Sequence, residues 1–280
     1  MPEGHTIHRL AADLEERFGG RPVRASSPQG RFEGGAALVD GRTMGGADAH
    51  GKHLFLGFPR FEGEDGDGGE WIHIHLGLYG SFALGRGAPP APVGQIRLRL
   101  ATAEAPPAYA DLRGPNTCEL LTGAEKDAVT GRLGPDPLRA DADPERAWAR
   151  ISRSRTTLAA LLMDQKVVAG VGNVYRAEVL FRHNIDPYRA GRDITRAEWE
   201  AVWADLAGLM REGVRHNRID TVRPEHTPEA MGRPPRVDDH GGEVYVYRRA
   251  GMPCHVCGQE IRTAPLAARN LFWCPGCQKP

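Results

Sequence analysis

Residues 161–173 read Leu-Leu-Met-Asp-Gln-Lys-Val-Val-Ala-Gly-Val-Gly-Asn, and the fold is decided by how this stretch is read. Leu158, Leu161 and Leu162 stand at helical spacing before it. Gly170 and Gly172 then break the pattern. Val174, Ala177, Leu180 and Phe181 restore it on a second helix that begins near Asn173. The stretch is therefore a tight turn between helices. Backbone N–H groups point outward at the start of the second helix, an arrangement that favours a phosphate. It is not a dinucleotide loop, because the G-x-G-x-x-G spacing fails and a helix, not a strand, precedes it.

Working outward, the helical period holds from about residue 144. Thr195 with Glu198 three residues later is a capping box. It opens a long amphipathic helix carrying Trp199, Val202, Trp203, Leu206, Leu209 and Met210. Residues 224–242 are rich in Pro, Gly and Asp and read as a mobile connection. Four of the five cysteines follow: Cys254, Cys257, Cys274 and Cys277. Two C-x2-C pairs at this separation, in a chain whose start lacks the regions of a secretion signal, read as a four-thiolate site for one structural Zn2+. The segment is too short to bury a core of its own, so the metal supplies its folding energy. Cys118 stands apart and reads as a small buried hydrophobe.

Toward the N-terminus the pattern changes. Ile7, Leu10, Ala11, Leu14 and Phe18 predict a helix that Gly19-Gly20 stops. From about 21 to 118 short alternating runs predict a β-sandwich. Ile72, Ile74 and Leu76 alternate with His73 and His75; Ile96, Leu98 and Leu100 alternate with Arg97 and Arg99. An acidic turn-rich loop spans 62–70. Gly, Pro and Asp in 122–143 predict a linker. The expected division is 1–121, linker 122–143, a helical part 144–242 and a zinc ribbon 243–280.

Lys plus Arg equals Asp plus Glu at 36 each in the 280 residues, so an anion site must be a local patch. Two such patches stand out. Arg150, Arg153, Arg155, Lys166, Arg176 and Arg182 face only Asp164 and Glu178 across 150–182. Arg248, Arg249, Arg262, Arg269 and Lys279 face only Glu260 across 245–280. A basic helical turn beside a basic zinc module points to nucleic acid. A 40% hydrophobic, 26% charged composition excludes wholesale disorder. No run is long and apolar enough to span a bilayer, and the N-terminal residues lack a signal peptide's pattern. The expectation is a cytoplasmic protein with no membrane partner.

Five motifs occur in one order: Pro2-Glu3-Gly4; Gly51-Lys52-His53-Leu54; His75-Leu-Gly-Leu-Tyr-Gly80; the 161–173 stretch; and the cysteine module with Arg269 five residues before Cys274. Together they resemble the formamidopyrimidine-DNA glycosylase and endonuclease VIII family, and the Pro-Glu-Gly-His-Thr opening and Gly-Leu-Tyr tripeptide are similar to its endonuclease VIII branch. The resemblance implies an α+β fold: an N-terminal helix plus β-sandwich forming the catalytic domain, a helical helix–two-turn–helix DNA-binding domain, and a C-terminal zinc ribbon. It implies a monomeric bifunctional DNA glycosylase/AP lyase of base excision repair acting on damaged, double-stranded DNA. Pro2, freed by loss of Met1, would be the nucleophile that forms a Schiff base, Glu3 the acid/base carboxylate, and Lys52 a catalytic phosphate contact. Asn173 and Arg269 would clamp phosphates beside the lesion, and Leu78 and Tyr79 would fill the gap left by a flipped base.

Bland readings stand beside these. Glu3 also suits a helix N-terminus, Asn173 suits an N-cap, Leu78 and Tyr79 suit a strand end, and Glu178 suits a tether of the turn. His73 and His75 suit the polar face of a strand. The formamidopyrimidine branch also uses an Arg-Phe pair in a later loop; the nearest segment here, Asp111-Leu-Arg-Gly-Pro115, lacks the Phe. The substrate expected is an oxidised pyrimidine. The alternatives are the same mechanism on 8-oxoguanine and formamidopyrimidines, and a non-catalytic DNA-binding scaffold.

Overall fold

The structure is a computed structural model, and it describes residues 2–59, 69–237 and 242–279. It divides into two compact units: Met1–Pro2 with Thr6–Arg132, and Glu3–His5 with Leu133–Pro280.

The first unit contains α1 (Gly4–Phe18) from Thr6 onward, then β1 (Arg24–Ser26), α2 (Glu33–Val39), β2 (Gly46–His50), β3 (His53–Phe58), β4 (Glu70–His75), β5 (Ser81–Arg86), β6 (Ile96–Thr102), β7 (Ala108–Arg113), β8 (Thr117–Leu121) and α3 (Gly123–Thr130). Two four-stranded antiparallel sheets form, ordered β1-β6-β7-β5 and β2-β3-β4-β8, which is the expected sandwich. Alternation does the sorting. Leu54, Leu56, Ile72 and Ile74 bury with Leu98, Leu100 and Leu112 and with Ile7, Leu14 and Phe18 of α1. Each such side chain contributes about 1.5–3 kcal/mol on burial.

Two segments depart from the expected pattern. The region read as strands holds the short helix α2, because Ala36 and Val39 pack their helical face into the core. The 122–143 linker holds α3. There Thr122 and Glu125 form a capping box, and Lys126 Nζ binds Asp48 Oδ2 at 2.8 Å and lies 4.2 Å from the Trp71 ring centre. Of the acidic loop, residues 62–68 lie outside the described residues; Glu70 opens β4 and pairs with Arg42.

The second unit is helical, with α4 (Pro144–Ile151), α5 (Leu158–Leu161), α6 (Asn173–Arg182), α7 (Arg196–His216) and α8 (Pro228–Met231), then a hairpin of β9 (Arg262–Leu266) and β10 (Arg269–Trp273). The Thr195/Glu198 box caps α7 as predicted. Leu158, Val174, Tyr175, Trp199, Leu206, Met210 and Tyr245 share its core. Within the 224–242 connection a 3-10 turn at Pro224–His226 leads into α8, whose cap is Thr227. Its residues 238–241 lie outside the described residues. Among the described residues no helix is long and apolar enough to cross a membrane.

Candidate functional site

The turn read from the sequence is held by one side chain. Gln165 Nε2 donates to the carbonyls of Met163 and Val171, at 3.1 and 2.9 Å, while its Oε1 accepts from Gly170 N at 3.0 Å. Gly170 has φ of +87°, a conformation that disfavours any other residue. Gly172 is the N-cap of α6 and has no side chain with which to cap it.

Glu3 takes that role. Its carboxylate accepts from Gly172 N (3.0 Å), Val174 N (2.8 Å) and Tyr175 N (3.4 Å), and the residue is fully buried. Backbone donors that a helix start leaves open thus meet an anion, where the helix dipole also favours one. A Cβ on Gly172 would lie 2.3 Å from Glu3 Cδ, so only glycine permits this seat. Gly4 completes it, donating to Gly170 O at 2.8 Å, with a Cβ there meeting Gly170 Cα at 2.8 Å. His5 follows, buried edge-on against Tyr175. Burial pushes its pKa down to about 4.

Asn173 is not the N-cap. It is the first residue of α6, buried, and its Nδ2 donates to Asn270 O at 2.9 Å while its Oδ1 accepts from Arg176. The sequence reading missed Arg176 as a site residue. Its fully buried guanidinium also reaches Leu266 O at 3.4 Å, and burial lowers its pKa to about 10. Asn173 and Arg176 thereby tie the start of α6 to both strands of the hairpin. Arg269 begins β10 next to Asn270, is exposed, and follows a turn in which Ala267 and Ala268 both have positive φ. Glu178 is a tether, though not of the turn. It accepts from the N–H groups of Tyr245, Val246 and Tyr247 and from Thr221 Oγ1, and so binds the chain that leads into the ribbon.

The four ribbon cysteines converge. Their sulfurs all lie within 4.8 Å of one another, with Cys257–Cys274 at 3.3 Å and Cys254–Cys277 at 3.9 Å. Thiolates at about 2.3 Å from a tetrahedral zinc stand about 3.8 Å apart, so the set fits the ion. A Cβ on Gly276 would crowd Cys257 Sγ at 2.9 Å, which explains the glycine inside the second knuckle.

In the first unit Pro2 is half-buried at the chain start, directly before Glu3. Lys52 lies in the two-residue turn joining β2 to β3, where Gly51 takes φ of +60°. Leu78 and Tyr79 occupy the turn after β4 and are 46% and 88% exposed, so neither serves the core. His73 is only 4% exposed and hydrogen-bonded on both ring nitrogens, which replaces the plain polar-face reading. Asp111 of the 111–115 segment is a buried bidentate partner of Arg99.

Three descriptions of known families match in this order: formamidopyrimidine-DNA glycosylase N-terminal domain at 1–118, formamidopyrimidine-DNA glycosylase H2TH domain at 133–223, and zinc finger found in FPG and IleRS at 251–280. The chain belongs to the formamidopyrimidine-DNA glycosylase/endonuclease VIII family. Within that family it is 52% identical to endonuclease 8 1 of Mycobacterium bovis, over 99% of this chain and all of that protein. It is 33% identical to a probable endonuclease 8 2 of Streptomyces coelicolor, over 99% of this chain and 94% of that one. It is 31% identical to formamidopyrimidine-DNA glycosylase of Alkalilimnicola ehrlichii, over 100% and 99%. The family fold is also seen in the Lactococcus lactis enzyme, solved in complex with abasic-site DNA, at a TM-score of 0.75, 22% identity and coverage of 99% and 100%.

Proposed function

We propose that this chain is a DNA glycosylase with AP lyase activity in base excision repair, that it acts as a monomer on damaged double-stranded DNA, and that its substrates are oxidised pyrimidines. Family membership along the whole chain supports the activity, and the 52% identity to an endonuclease 8 supports the branch. The observation that carries the site assignment is the seat of Glu3: a buried carboxylate on a helix N-terminus, one residue after the proposed nucleophile.

Loss of Met1 makes Pro2 a secondary α-amine. Such an amine titrates near ~8, so a useful fraction is neutral at pH 7 where a lysine is not. Its nitrogen attacks the sugar C1′, forming N–C1′ as the bond to the damaged base breaks and the base leaves with a proton. The proton that the Pro2 nitrogen sheds on attack passes to the Glu3 carboxylate and from it to the ring oxygen as the sugar opens, leaving an iminium ion between Pro2 and C1′, while the departing base takes its proton from water. That cation acidifies the C2′ proton; its removal expels the 3′ phosphate, and a second elimination expels the 5′ phosphate. Lys52, Asn173 and Arg269 hold backbone phosphates, for which the Arg fork is well shaped. Leu78 and Tyr79 wedge into the stack once the base has left it, a step that costs a few kcal/mol. Zinc supplies no step: the four cysteines hold it to fold the hairpin that presents Arg269.

Borohydride trapping on abasic-site duplex tests this. The mature protein should form a covalent adduct that Pro2→Gly abolishes. DNA binding without any adduct, where a control lyase traps, would establish the scaffold instead. Excision of 8-oxoguanine with no excision of thymine glycol, dihydrouracil or 5-hydroxycytosine would reverse the substrate assignment.

A further inference from the structure

One polar chain in the first unit, with His73 buried at its centre and Glu119 exposed at its end, has no part in the chemistry above. It runs across three strands of the β2-β3-β4-β8 sheet. His73 on β4 faces Phe55 on β3 and Glu119 on β8 in register. Its Nδ1 lies 2.9 Å from Glu119 Oε1, and its Nε2 lies 2.8 Å from His53 Nδ1. The rings stack: His73 on Phe55 at 4.9 Å and 15°, and on His53 at 5.1 Å and 19°. His53 also packs 5.1 Å from His75, its register partner.

For a neutral His73 ring the protons follow from the chemistry of the groups. A carboxylate only accepts, so His73 Nδ1 carries the hydrogen. A neutral imidazole has one N–H, so His73 Nε2 accepts, and His53 Nδ1 must donate to it. Burial keeps His53 neutral, with its pKa lowered to about 3. Glu119 therefore sets the tautomer of His73, and His73 sets that of His53.

His53 is the first residue of β3, and Lys52 precedes it in a two-residue turn. Fixing the His53 ring fixes the backbone that launches Lys52. The far side of the ladder feels this lysine directly: His75 is held below its ordinary pKa by burial and then by the positive charge of Lys52.

We propose that Glu119, His73 and His53 form a positioning chain for Lys52, holding its turn in the orientation in which the ammonium group meets the DNA. The proposal rests on the reading of Lys52 as a catalytic phosphate contact. None of the three residues touches substrate. Their contribution is orientation, and small misplacements of a catalytic group can cost about a hundredfold in rate.

The test pairs nuclear magnetic resonance with single-turnover trapping on abasic-site duplex. In the wild type, histidine-selective 15N spectra should show His73 and His53 both as Nδ1–H tautomers; an Nε2–H His73 overturns the proposal, and this arm needs no variant to fold. Glu119→Leu should slow trapping about tenfold while affinity for duplex bearing a tetrahydrofuran abasic analogue changes less than about twofold. Glu119→Gln, whose amide oxygen still accepts from Nδ1, should recover most of the rate. In a Lys52→Ala background Glu119→Leu should cost nothing more, since groups that act through one another are not additive. Equal losses in both backgrounds overturn the positioning chain. A slow Lys52→Ala with a full-rate Glu119→Leu overturns it too but leaves the reading of Lys52 intact. A full-rate Lys52→Ala removes that reading itself.

Discussion

A methyl group on Gly172 would sit 2.3 Å from the Glu3 carboxyl carbon, and a covalent neighbour of Pro2 would have to move. Gly172→Ala should therefore act on both stability and chemistry. Overpacking at a closed site costs about 1–3 kcal/mol, so the thermal midpoint should fall, and the trapping rate should fall further than Glu3-independent DNA binding does. Unchanged melting and trapping would show that the Glu3 seat is not built as described. The hydrogen bond from Gly172 to Glu3 joins residues 169 positions apart. Pro2-Glu3-Gly4 made Glu3 legible as a carboxylate with a role, and the two glycines marked the turn, but nothing local says that one meets the other. Arg176 was hidden for the opposite reason: it lies among apolar helix residues, and only the fold shows that its guanidinium grips Asn173 and the hairpin.

The hairpin of β9 and β10 carries Arg269, the proposed phosphate contact. Ala267 and Ala268 hold positive φ values of 51° and 57°, strained for residues with a Cβ. Asn173 and Arg176 brace the same hairpin from α6. Arg269 directly follows this braced turn. Arg269→Ala should weaken DNA binding and make the slope of log K against log salt shallower by about 0.9, the share that one neutralised phosphate adds. An equal slope in both proteins would remove Arg269 from the phosphate clamp. The zinc knuckles were fully legible from cysteine spacing, because ligand geometry is local. The helix inside 122–143 was legible too, through Thr122 and Glu125, a box of the same kind as Thr195 and Glu198, but the Gly and Pro content of the stretch outweighed it. The His73 network was not legible: alternation shows which face a residue takes, and only the pairing of three strands shows that His53, His73 and Glu119 align.

At the scale of the molecule, each unit hides a histidine that burial keeps neutral: His53 in the first, with its pKa down to about 3, and His5 in the second, down to about 4. Above pH 6.5 folded and unfolded chains alike hold these rings neutral. As pH falls below 6.5 the unfolded chain gains protons that the folded chain refuses, so stability declines until the folded pKa is reached. Each ring contributes a slope of up to about 1.4 kcal/mol per pH unit. Denaturant melts between pH 6.5 and 5, above the range where ordinary carboxylates titrate, should show stability falling with acid. A flat profile would mean that these rings are not shut away.

The same molecule-wide view places the central claim at the chain's first atoms. Glu3 is fixed on α6, α1 starts at Gly4, and Pro2 directly precedes Glu3 in the sequence. The most direct measurement is tandem mass spectrometry of the borohydride-reduced adduct after nuclease and protease digestion. The deoxyribose remnant should be found on the nitrogen of an N-terminal Pro2. A remnant on Lys52 or any other lysine, or an adduct on a chain that still carries Met1, would contradict the account.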